Sequence, residues 1–455
     1  MNKEINIEPG AHLEKSEIRD CSFHEYGVII DIGTTTVESC LFDLDMKKEV
    51  IRLSKNNPQR VYGADVISRI SYGNQSEEHL KKLNHLIWDC CNQIIDELLM
   101  KYELFLDDSN SNKSTDSAHR EFLYNKVKKV LIFGNTVMSQ IFLGRSLEGF
   151  TRVPFSHVNY DVHFLLGKDG KLNINPEGEI IVLPGIHGHV GSDTIGSILA
   201  VNLEKQRGRN LLIDIGTNGE IVFSQDGRMV CCSTAAGPVF EGASLYQGMK
   251  AIEGAIRGIH IENYNVNLDV IGRTDPVGIC GSGVIDAIGE LIKIGMIDQT
   301  GRMLSAEEVH NPLRSRLIQD KGMRFILGSS RQGDNLVLTQ QDIREVQLAK
   351  AAIYAGIISL LEACSLDSSQ IDHLYIAGAF GSNINTNNAI AIKLLPNMDQ
   401  RQIKLIGNGV ITGGKKILSK EYSISEIIKL SKDIRHIELA NDGNFQKRYI
   451  DAINF

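Results

Sequence analysis

Short apolar runs alternate with longer segments whose apolar residues recur at helical spacing along most of this chain. Residues 28–32 and 211–215 are short apolar runs, each interrupted by one aspartate, and each ends at a Gly-Thr pair. A second apolar run follows each pair, over 37–44 and 221–223, so the pattern predicts two β-hairpins with Gly-Thr tips. Residues 347–362 are rich in alanine, with apolar residues at helical spacing, and predict a helix.

Other apolar runs stop abruptly at glycine. Residues 130–133 and 374–377 are such runs, and they end at Gly134 and Gly378. Strands that alternate with helices and end in glycine-rich turns predict an α/β protein, in which ligands bind at the carboxyl ends of the strands. We expect an N-terminal tail over 1–26, a first lobe over 27–206 and a second lobe over 207–455.

Composition narrows the class of protein. The 455 residues are 42% hydrophobic and 23% charged, which is typical of a folded globular chain. A formal net charge of −8 without basic clusters argues against nucleic acid as a partner. No apolar run approaches the length of a membrane span, and the first 26 residues have no signal-like apolar core. We therefore expect a cytoplasmic protein that does not contact membranes.

The eight cysteines form no CxxC pair and no ferredoxin-type spacing. We expect them to be structural thiols, with Cys280 and the adjacent Cys231 and Cys232 as the first ligands to test if a cluster were found. His187 and His189 form a His-x-His pair, but no third ligand type clusters beside them, so a metal site there is disfavoured.

The two hairpin tips have the chemistry of phosphate binding. A Gly-Thr turn offers backbone N–H groups and hydroxyls to phosphate oxygens, and the preceding aspartate can hold the water shell of a metal ion. One such tip could be an ordinary turn. Two copies, each after an apolar strand, predict duplicated lobes that bind one polyphosphate from opposite sides.

The order of these motifs resembles that of the actin, Hsp70 and sugar-kinase superfamily. Residues 31–36 match its first phosphate motif, 214–219 its second and 376–381 its adenosine motif. Finer phrases resemble the reductive activators of corrinoid enzymes over nearly the whole chain. These phrases are 57–59 with 62–70, 134–138, 235–243, 278–283 and 437–440.

The resemblance implies a two-lobed actin/Hsp70-like ATPase fold with duplicated RNase H-like cores and ATP in the cleft. It also implies ATP-dependent return of a corrinoid protein from Co(II) to Co(I) within a methyltransferase system, and a homodimer. Members usually begin with a [2Fe–2S] ferredoxin-like domain, whereas the first 26 residues here carry only Cys21. We therefore expect no iron–sulfur cluster and a separate low-potential electron donor.

Site residues follow from the same resemblance. Asp31 and Asp214 would face metal-bound phosphates, binding Mg²⁺ through water. Asp193 would orient the attacking water, with Glu220 as the substitute. The residues expected to contact the nucleotide are Gly33, Thr34, Thr35, Thr36, Gly216, Thr217, Asn218, Glu241, Gln347, Lys350, Gly378, Ala379, Phe380 and Gly381.

Simpler roles stay open for several of these residues. Asp193 could be a helix N-cap, Glu241 could pair with a helix N-terminus, and Lys350 could extend along the surface with its ammonium in water. A small-molecule kinase on the same fold is an alternative, with Asp65 as its only candidate base. An ATP-gated metalloprotein chaperone is a third possibility.

Overall fold

The computed structural model describes residues 24–106, 117–155, 157–378 and 383–455, with only the backbone for 104–106. The chain divides into two compact units. The first contains the described residues up to Asn202 together with Gly409–Ile434, and the second contains Leu203–Asn408 together with Arg435–Phe455. Most of the predicted tail lies outside the described residues.

A six-stranded sheet forms the first unit, in the order β3-β2-β1-β4-β6-β5. Its strands, numbered in chain order, are β1 (Tyr26–Ile32), β2 (Thr36–Asp43), β3 (Lys48–Asn56), β4 (Val127–Gly134), β5 (His163–Leu166) and β6 (Glu179–Val182). The first three strands are antiparallel, whereas β4 runs parallel to β1 and to β6. The carboxyl ends of β1 and β4 therefore lie side by side.

Helices cover this sheet because the apolar residues of its central strands alternate between two buried faces. The helices of the unit are α1 (Val66–Gly73), α2 (Glu77–Leu106), α3 (Ser117–Lys126), α4 (Thr136–Phe142), α5 (Ser192–Val201), α9 (Gly409–Leu418) and α10 (Ile424–Asp433). Val28, Ile30 and Ile32 of β1 share one core with the buried residues of α2 and α4. Ile29 faces the other way, towards Gly414 of α9.

The segment 409–434 was expected in the second lobe and instead belongs to the first unit. Helices α5 and α9 approach closely because glycine replaces a side chain where they cross. A Cβ on Gly413 would lie 2.2 Å from the carbonyl oxygen of Gly196. Lys416 also donates to the carbonyl oxygens of Leu199 and Ala200, at 2.9 and 3.0 Å, which satisfies the end of α5.

The second unit repeats the sheet of the first and adds two small sheets. Its strands are β7 (Arg209–Ile215), β8 (Gly219–Gln225), β9 (Arg228–Thr234), β10 (Ala255–Glu262), β11 (Asn265–Val270), β12 (Gly278–Ile279), β13 (Leu317–Gln319), β14 (Met323–Ser329), β15 (Asn335–Thr339), β16 (His373–Ala377), β17 (Ile403–Gly407) and β18 (Arg435–His436). The six-stranded sheet has the order β17-β16-β7-β8-β9-β18. Strands β7, β8, β9 and β16 thus repeat β1, β2, β3 and β4.

The helices of the second unit are α6 (Gly281–Lys293), α7 (Gln340–Ala363), α8 (Thr386–Ala391) and α11 (Phe445–Asp451). Helix α7 is long and apolar enough to cross a membrane by composition alone, so the expectation that no apolar run approaches that length is wrong. Most of its apolar window is buried against the sheet. It is therefore a core helix, because its apolar residues are covered by β8, β9 and α11.

Candidate functional site

The first predicted hairpin is present, and its tip consists of three residues. Strands β1 and β2 pair from Tyr26 with Asp43 up to Ile32 with Val37, and residues 33–35 lie between the end of β1 and the start of β2. Asp31 is half-buried and lies directly opposite Glu38. Thr34 is buried at the tip with 8% exposure. We call residues 33–35 the first loop.

Side chains from three other elements hold the first loop. Asn57 donates from Nδ2 to the carbonyl oxygen of Gly33 at 2.8 Å, and its backbone N–H donates to that of Thr35 at 3.0 Å. Asn135 donates from Nδ2 to Thr34 Oγ1 at 3.3 Å. Arg69 donates from Nη2 to the carbonyl oxygen of Thr34. The loop is thus fixed by donors, and the hydroxyl proton of Thr34 remains available for a ligand.

Sequence reasoning gave no role to Arg69, although a signal was present. Val66, Arg69, Ile70 and Gly73 are the buried residues of α1, at the spacing of one helix face. An arginine on such an apolar face needs partners inside the protein. The structure supplies them at the loop.

The second predicted hairpin is also present, with one residue fewer between its last paired positions than the first. Strands β7 and β8 pair up to Ile215 with Gly219, and residues 216–218 form the second loop. Asp214 is half-buried opposite Glu220, as Asp31 is opposite Glu38. Thr217 is again buried, with 8% exposure. Glu220 in turn accepts a hydrogen bond from Ser233 Oγ at 3.3 Å.

The second loop differs from the first because its threonine hydroxyl contacts a carboxylate. Thr217 donates its hydroxyl proton to Oε1 of half-buried Glu241, and its carbonyl oxygen accepts from the backbone N–H of Gly237 at 2.9 Å. Glu241 therefore contacts the second loop, and its role in nucleotide binding stays a prediction. The hydroxyl of Thr217 is already committed as a donor.

The adenosine motif begins beside this second aspartate. Ala377, the last residue of β16, pairs with Asp214 across parallel strands. Gly378 follows with φ +87°, and a Cβ there would lie 2.6 Å from Asp214 Oδ1. Glycine is required because both its backbone conformation and the nearby carboxylate exclude a side chain. Ala379, Phe380 and Gly381 lie outside the described residues.

Asp193 lies in the first turn of α5, whereas Gly191 is the N-cap. The N-cap alternative for Asp193 is therefore wrong. A Cβ on Gly191 would lie 2.2 Å from the carbonyl oxygen of Gly134, so the start of α5 packs against the end of β4. Asp193 is half-buried and accepts from the backbone N–H of Thr194 at 2.7 Å. It thus lies in the same unit as the first loop.

Gln347 and Lys350, expected to contact adenosine, instead contact the C-terminal segment of the chain. The ammonium of Lys350 is buried and donates to the carbonyl oxygens of Ala452 and Asn454, at 2.5 and 2.6 Å. Gln347 donates to that of Ile453 at 2.9 Å. Both side chains hold the segment 452–455, and burial lowers the pKa of Lys350 to about 7. The alternative of a surface lysine with its ammonium in water is wrong too.

Other candidate groups have structural partners. Asp65 is the N-cap of α1, where its Oδ1 accepts from the backbone N–H of Ser68 at 2.8 Å. His187 stacks on Tyr160 with ring centroids 5.3 Å apart, and His189 packs against Phe155 at 5.4 Å. Asp65 thus has a structural reason to be present, as do the two histidines.

The seven described cysteines form no disulfide, and six of them are buried. Burial raises the pKa of the Cys90 thiol to about 11 and that of Cys231 to about 12. Cys280, the N-cap of α6, contacts the carbonyl oxygen of Ile256 and the hydroxyl of Ser282 through its sulfur. Buried thiols with raised pKa values are poor metal ligands, because the thiolate is the form that binds metal.

Comparison with known proteins agrees with this architecture. The family model described as the RACo middle region matches residues 26–206, and the model described as the C-terminal domain of RACo, the ASKHA domain, matches residues 209–455. A solved structure titled "Reductive activator for corrinoid,iron-sulfur protein" superposes with a TM-score of 0.83 at 30% identity. The superposition covers 95% of this chain and 66% of that one. The fold and its two loops define an ATPase-type protein of the ASKHA class.

Curated relatives narrow the class further. The chain is 34% identical over 431 residues to the corrinoid activation enzyme RamQ of Eubacterium limosum, covering 93% of this chain and 69% of that protein. It is 22% identical over 470 residues to the [Co(II) methylated amine-specific corrinoid protein] reductase of Methanosarcina barkeri, covering 94% of this chain and 77% of that protein. The chain belongs to the RACo family of ATPase-fold reductive activators of corrinoid proteins.

Proposed function

We propose that this protein uses Mg-ATP to drive the one-electron reduction of a corrinoid protein from Co(II) to Co(I). The observation that carries the proposal is the pair of Asp-Ile-Gly-Thr hairpins in a chain of the RACo family. Each loop offers backbone N–H groups, and each is preceded by a half-buried aspartate suited to the water shell of Mg²⁺. The corrinoid cobalt is the substrate of this reaction.

The energetic task explains why ATP is needed. For a one-electron step, 59 mV corresponds to a tenfold change in equilibrium, about 1.4 kcal/mol. ATP can assist only if the nucleotide state changes the affinity of this protein for one oxidation state of its partner. We propose that binding favours a cobalt state that accepts the electron, and that ATP turnover then releases the complex.

The electron comes from a separate low-potential donor in this proposal. The donor loses one electron, and Co(II) gains it to become Co(I). The cysteines support this role for a second protein, because the buried thiols with raised pKa values are unsuited to hold an iron–sulfur cluster. We further propose a cytoplasmic homodimer whose partner is the corrinoid protein of a methyltransferase system, without nucleic acid or membrane contacts.

Within the site, Asp31 and Asp214 would hold the Mg²⁺ water shell. Asp193 would orient the attacking water, with Glu220 as the substitute. Glu241 and Gly378 would line the site beside the second loop. The contacts of Gln347 and Lys350 with the segment 452–455 leave these two residues out of this assignment.

Formation of Co(I) in a reconstituted system tests the proposal. Purified protein, Mg-ATP, a Co(II) corrinoid protein and a one-electron donor such as Ti(III) citrate are mixed without oxygen, and Co(I) is followed by its absorption. We expect Co(I) only when both ATP and this protein are present. Equal yields with and without the protein, across several corrinoid partners, would contradict the assignment.

An iron analysis and an Asp65→Asn variant complete the test. The purified protein should be colourless and contain no stoichiometric iron. Asp65→Asn should keep near-normal Co(I) yield, because asparagine also caps helices. A loss of phosphoryl transfer to a small molecule in that variant would instead support a kinase.

A further inference from the structure

A buried arginine lies behind the first loop, and the assigned roles do not account for it. Arg69 is completely buried on α1, and its guanidinium reaches the loop that follows β1. Burying a guanidinium removes it from water at a large cost unless its donors and its charge are both compensated. Each of its three guanidinium nitrogens has an acceptor, but none of these acceptors carries a charge.

Each hydrogen bond of Arg69 in the described part of the chain goes to a neutral acceptor. Nε donates to the carbonyl oxygen of Gly63 at 3.0 Å, and Nη1 donates to Gln59 Oε1 at 3.2 Å. Nη1 also contacts Met138 Sδ at 3.0 Å, and Nη2 donates to the carbonyl oxygen of Thr34. Every nitrogen of the planar fork thus has an acceptor, and no acidic side chain among the described residues accepts from it.

The charge persists at neutral pH. Burial lowers the pKa of Arg69 to about 10, with a further lowering from Arg60 and an opposing effect from Asp65. The acid nearest in sequence, Asp65, already uses its Oδ1 to cap α1. A cation inside the protein and next to a phosphate-binding turn acts through a low dielectric, so its field at the loop is weakly screened.

The neighbours of Arg69 point to the same loop. Asn57 holds the carbonyl oxygens of Gly33 and Thr35 through N–H groups of its side chain and backbone, and it caps the short 3-10 helix Pro58–Tyr62. Gln59 accepts from Arg69 and anchors on the carbonyl oxygen of Leu83 at 2.9 Å. Turning the loop's carbonyls towards these donors leaves its backbone N–H groups for an anion.

We propose that Arg69 is a positioning residue for nucleotide phosphate: its fork fixes the backbone of the first loop, and its charge, which within the described chain is hydrogen-bonded only to neutral acceptors, attracts the anion bound there. The inference rests on the proposed function of the first loop as a phosphate-binding element.

Nucleotide affinities of Arg69→Met and Arg69→Lys test this role. Methionine keeps an unbranched, apolar stem without charge or donors, and lysine keeps the charge without the fork. Calorimetry should show the dissociation constant for ATP raised at least tenfold in Arg69→Met and less in Arg69→Lys. The loss should be larger for ATP than for AMP, because the triphosphate carries more negative charge than the single phosphate of AMP.

Arg316→Lys is the matched control. Arg316 also donates to two backbone carbonyls, those of Ile326 and Leu327, both at 3.1 Å. It directly precedes β13, in a small sheet that contains neither of the two loops. This variant should bind ATP like the wild type. Circular dichroism and melting temperatures establish that each variant is folded.

Several outcomes would overturn the inference. Folded Arg69 variants with wild-type affinity for ATP would do so, as would an equal loss of ATP and AMP affinity, which marks a purely structural role. If Arg69→Met does not fold, Arg69→Lys decides in the same way. If the wild type itself binds no ATP, the proposed function fails, and the inference fails with it.

Discussion

The two hairpins have similar strands and loops but differ in the groups that surround them. Both have a half-buried aspartate opposite a glutamate, a three-residue loop and a threonine with 8% exposure. The first loop is held by Arg69, Asn57 and Asn135, which donate hydrogen bonds to it. The second is held by Glu241, which accepts one from its threonine.

Because of this difference, the two copies of the motif are suited to ligands of opposite charge. Donors behind the first loop favour an anion in front of it, since they add positive charge and fix the carbonyls away from the ligand. A carboxylate beside the second loop instead favours a cation such as hydrated Mg²⁺. For Thr217 to donate to a phosphate, it would first have to leave Glu241. The second loop is thus the one expected to rearrange with nucleotide state.

The two loops also differ in the space around their glycines. A Cβ on Gly33 would lie 2.5 Å from the carbonyl oxygen of Thr36, a backbone atom that cannot move aside. A Cβ on Gly216 would meet only the carbonyl oxygen of Asn218, at 3.6 Å. The first loop is therefore rigidly packed at its glycine, whereas the second has room there.

The largest effect is expected for the residue that orients the attacking water, and it tests which of the two units supplies that residue. Asp193→Asn should lower ATP turnover by about 10²- to 10⁴-fold with ATP affinity nearly unchanged, because a positioned base acts on the water and not on binding. Glu220→Gln should have a smaller effect. Steady-state phosphate release and calorimetry measure both quantities. The reverse ranking would move the role to the second hairpin.

The paired aspartates test whether both halves hold the metal. Asp31→Asn and Asp214→Asn should each lower Mg-ATP turnover by about 10²-fold, roughly 2.7 kcal/mol of transition-state stabilisation, because each removes a charge from the Mg²⁺ water shell. Raising the Mg²⁺ concentration should partly restore turnover. If only Asp214→Asn responded to Mg²⁺, the first hairpin would be assigned to phosphate alone.

Glycine substitutions probe the packing difference. Gly33→Ala should raise the dissociation constant for ATP about tenfold and cost about 1–3 kcal/mol of stability, since a close-packed loop must shift to accept the methyl group. Gly216→Ala is the matched control and should remain within about threefold of wild-type affinity. Calorimetry and urea unfolding report the two effects. Equal losses in both variants would contradict the proposed asymmetry.

Removal of the loop hydroxyls should have a modest effect. Thr34→Val should weaken ATP binding about fivefold, the worth of one hydrogen bond of about 1 kcal/mol, because its proton is available for phosphate. Thr217→Val should weaken it less, because the proton of Thr217 is already donated to Glu241. A larger loss for Thr217→Val would show that nucleotide binding breaks the contact with Glu241.

The smallest effect on nucleotide binding is expected at Lys350. Lys350→Met should bind ATP normally yet change the pH dependence of stability. With a pKa of about 7 in the folded state and an ordinary value of 10.5, the unfolded chain holds a proton between these pH values that the folded protein has released. The free energy of unfolding should therefore rise with pH from about 7 to 10.5 in the wild type relative to Lys350→Met, by at most about 1.4 kcal/mol per pH unit.

Urea unfolding at several pH values measures this difference. Lys393→Met is the control, because exposed Lys393 donates to the carbonyl oxygen of Phe455 in the same segment. It should lose a contact without the same change of slope. Parallel pH profiles of the wild type and Lys350→Met would show that Lys350 is not buried as described.

Local pattern alone was sufficient to predict both hairpins. Apolar alternation specifies a strand, and Gly-Thr after an aspartate specifies where it must turn, because these preferences act between residues close in sequence. The α/β class and the ends of β4 and β16 at glycine follow for the same reason.

Tertiary structure alone decided which partners surround each loop. Arg69 lies 35 residues from Thr34, and Glu241 lies 24 residues from Thr217, so neither contact leaves a local trace. The same holds for Lys350, whose ammonium binds carbonyls about 100 residues away, and for α9, which joins the first unit by packing its glycines on α5. A residue type states what chemistry is possible, but burial and long-range packing determine whether its charge faces a ligand or the chain itself.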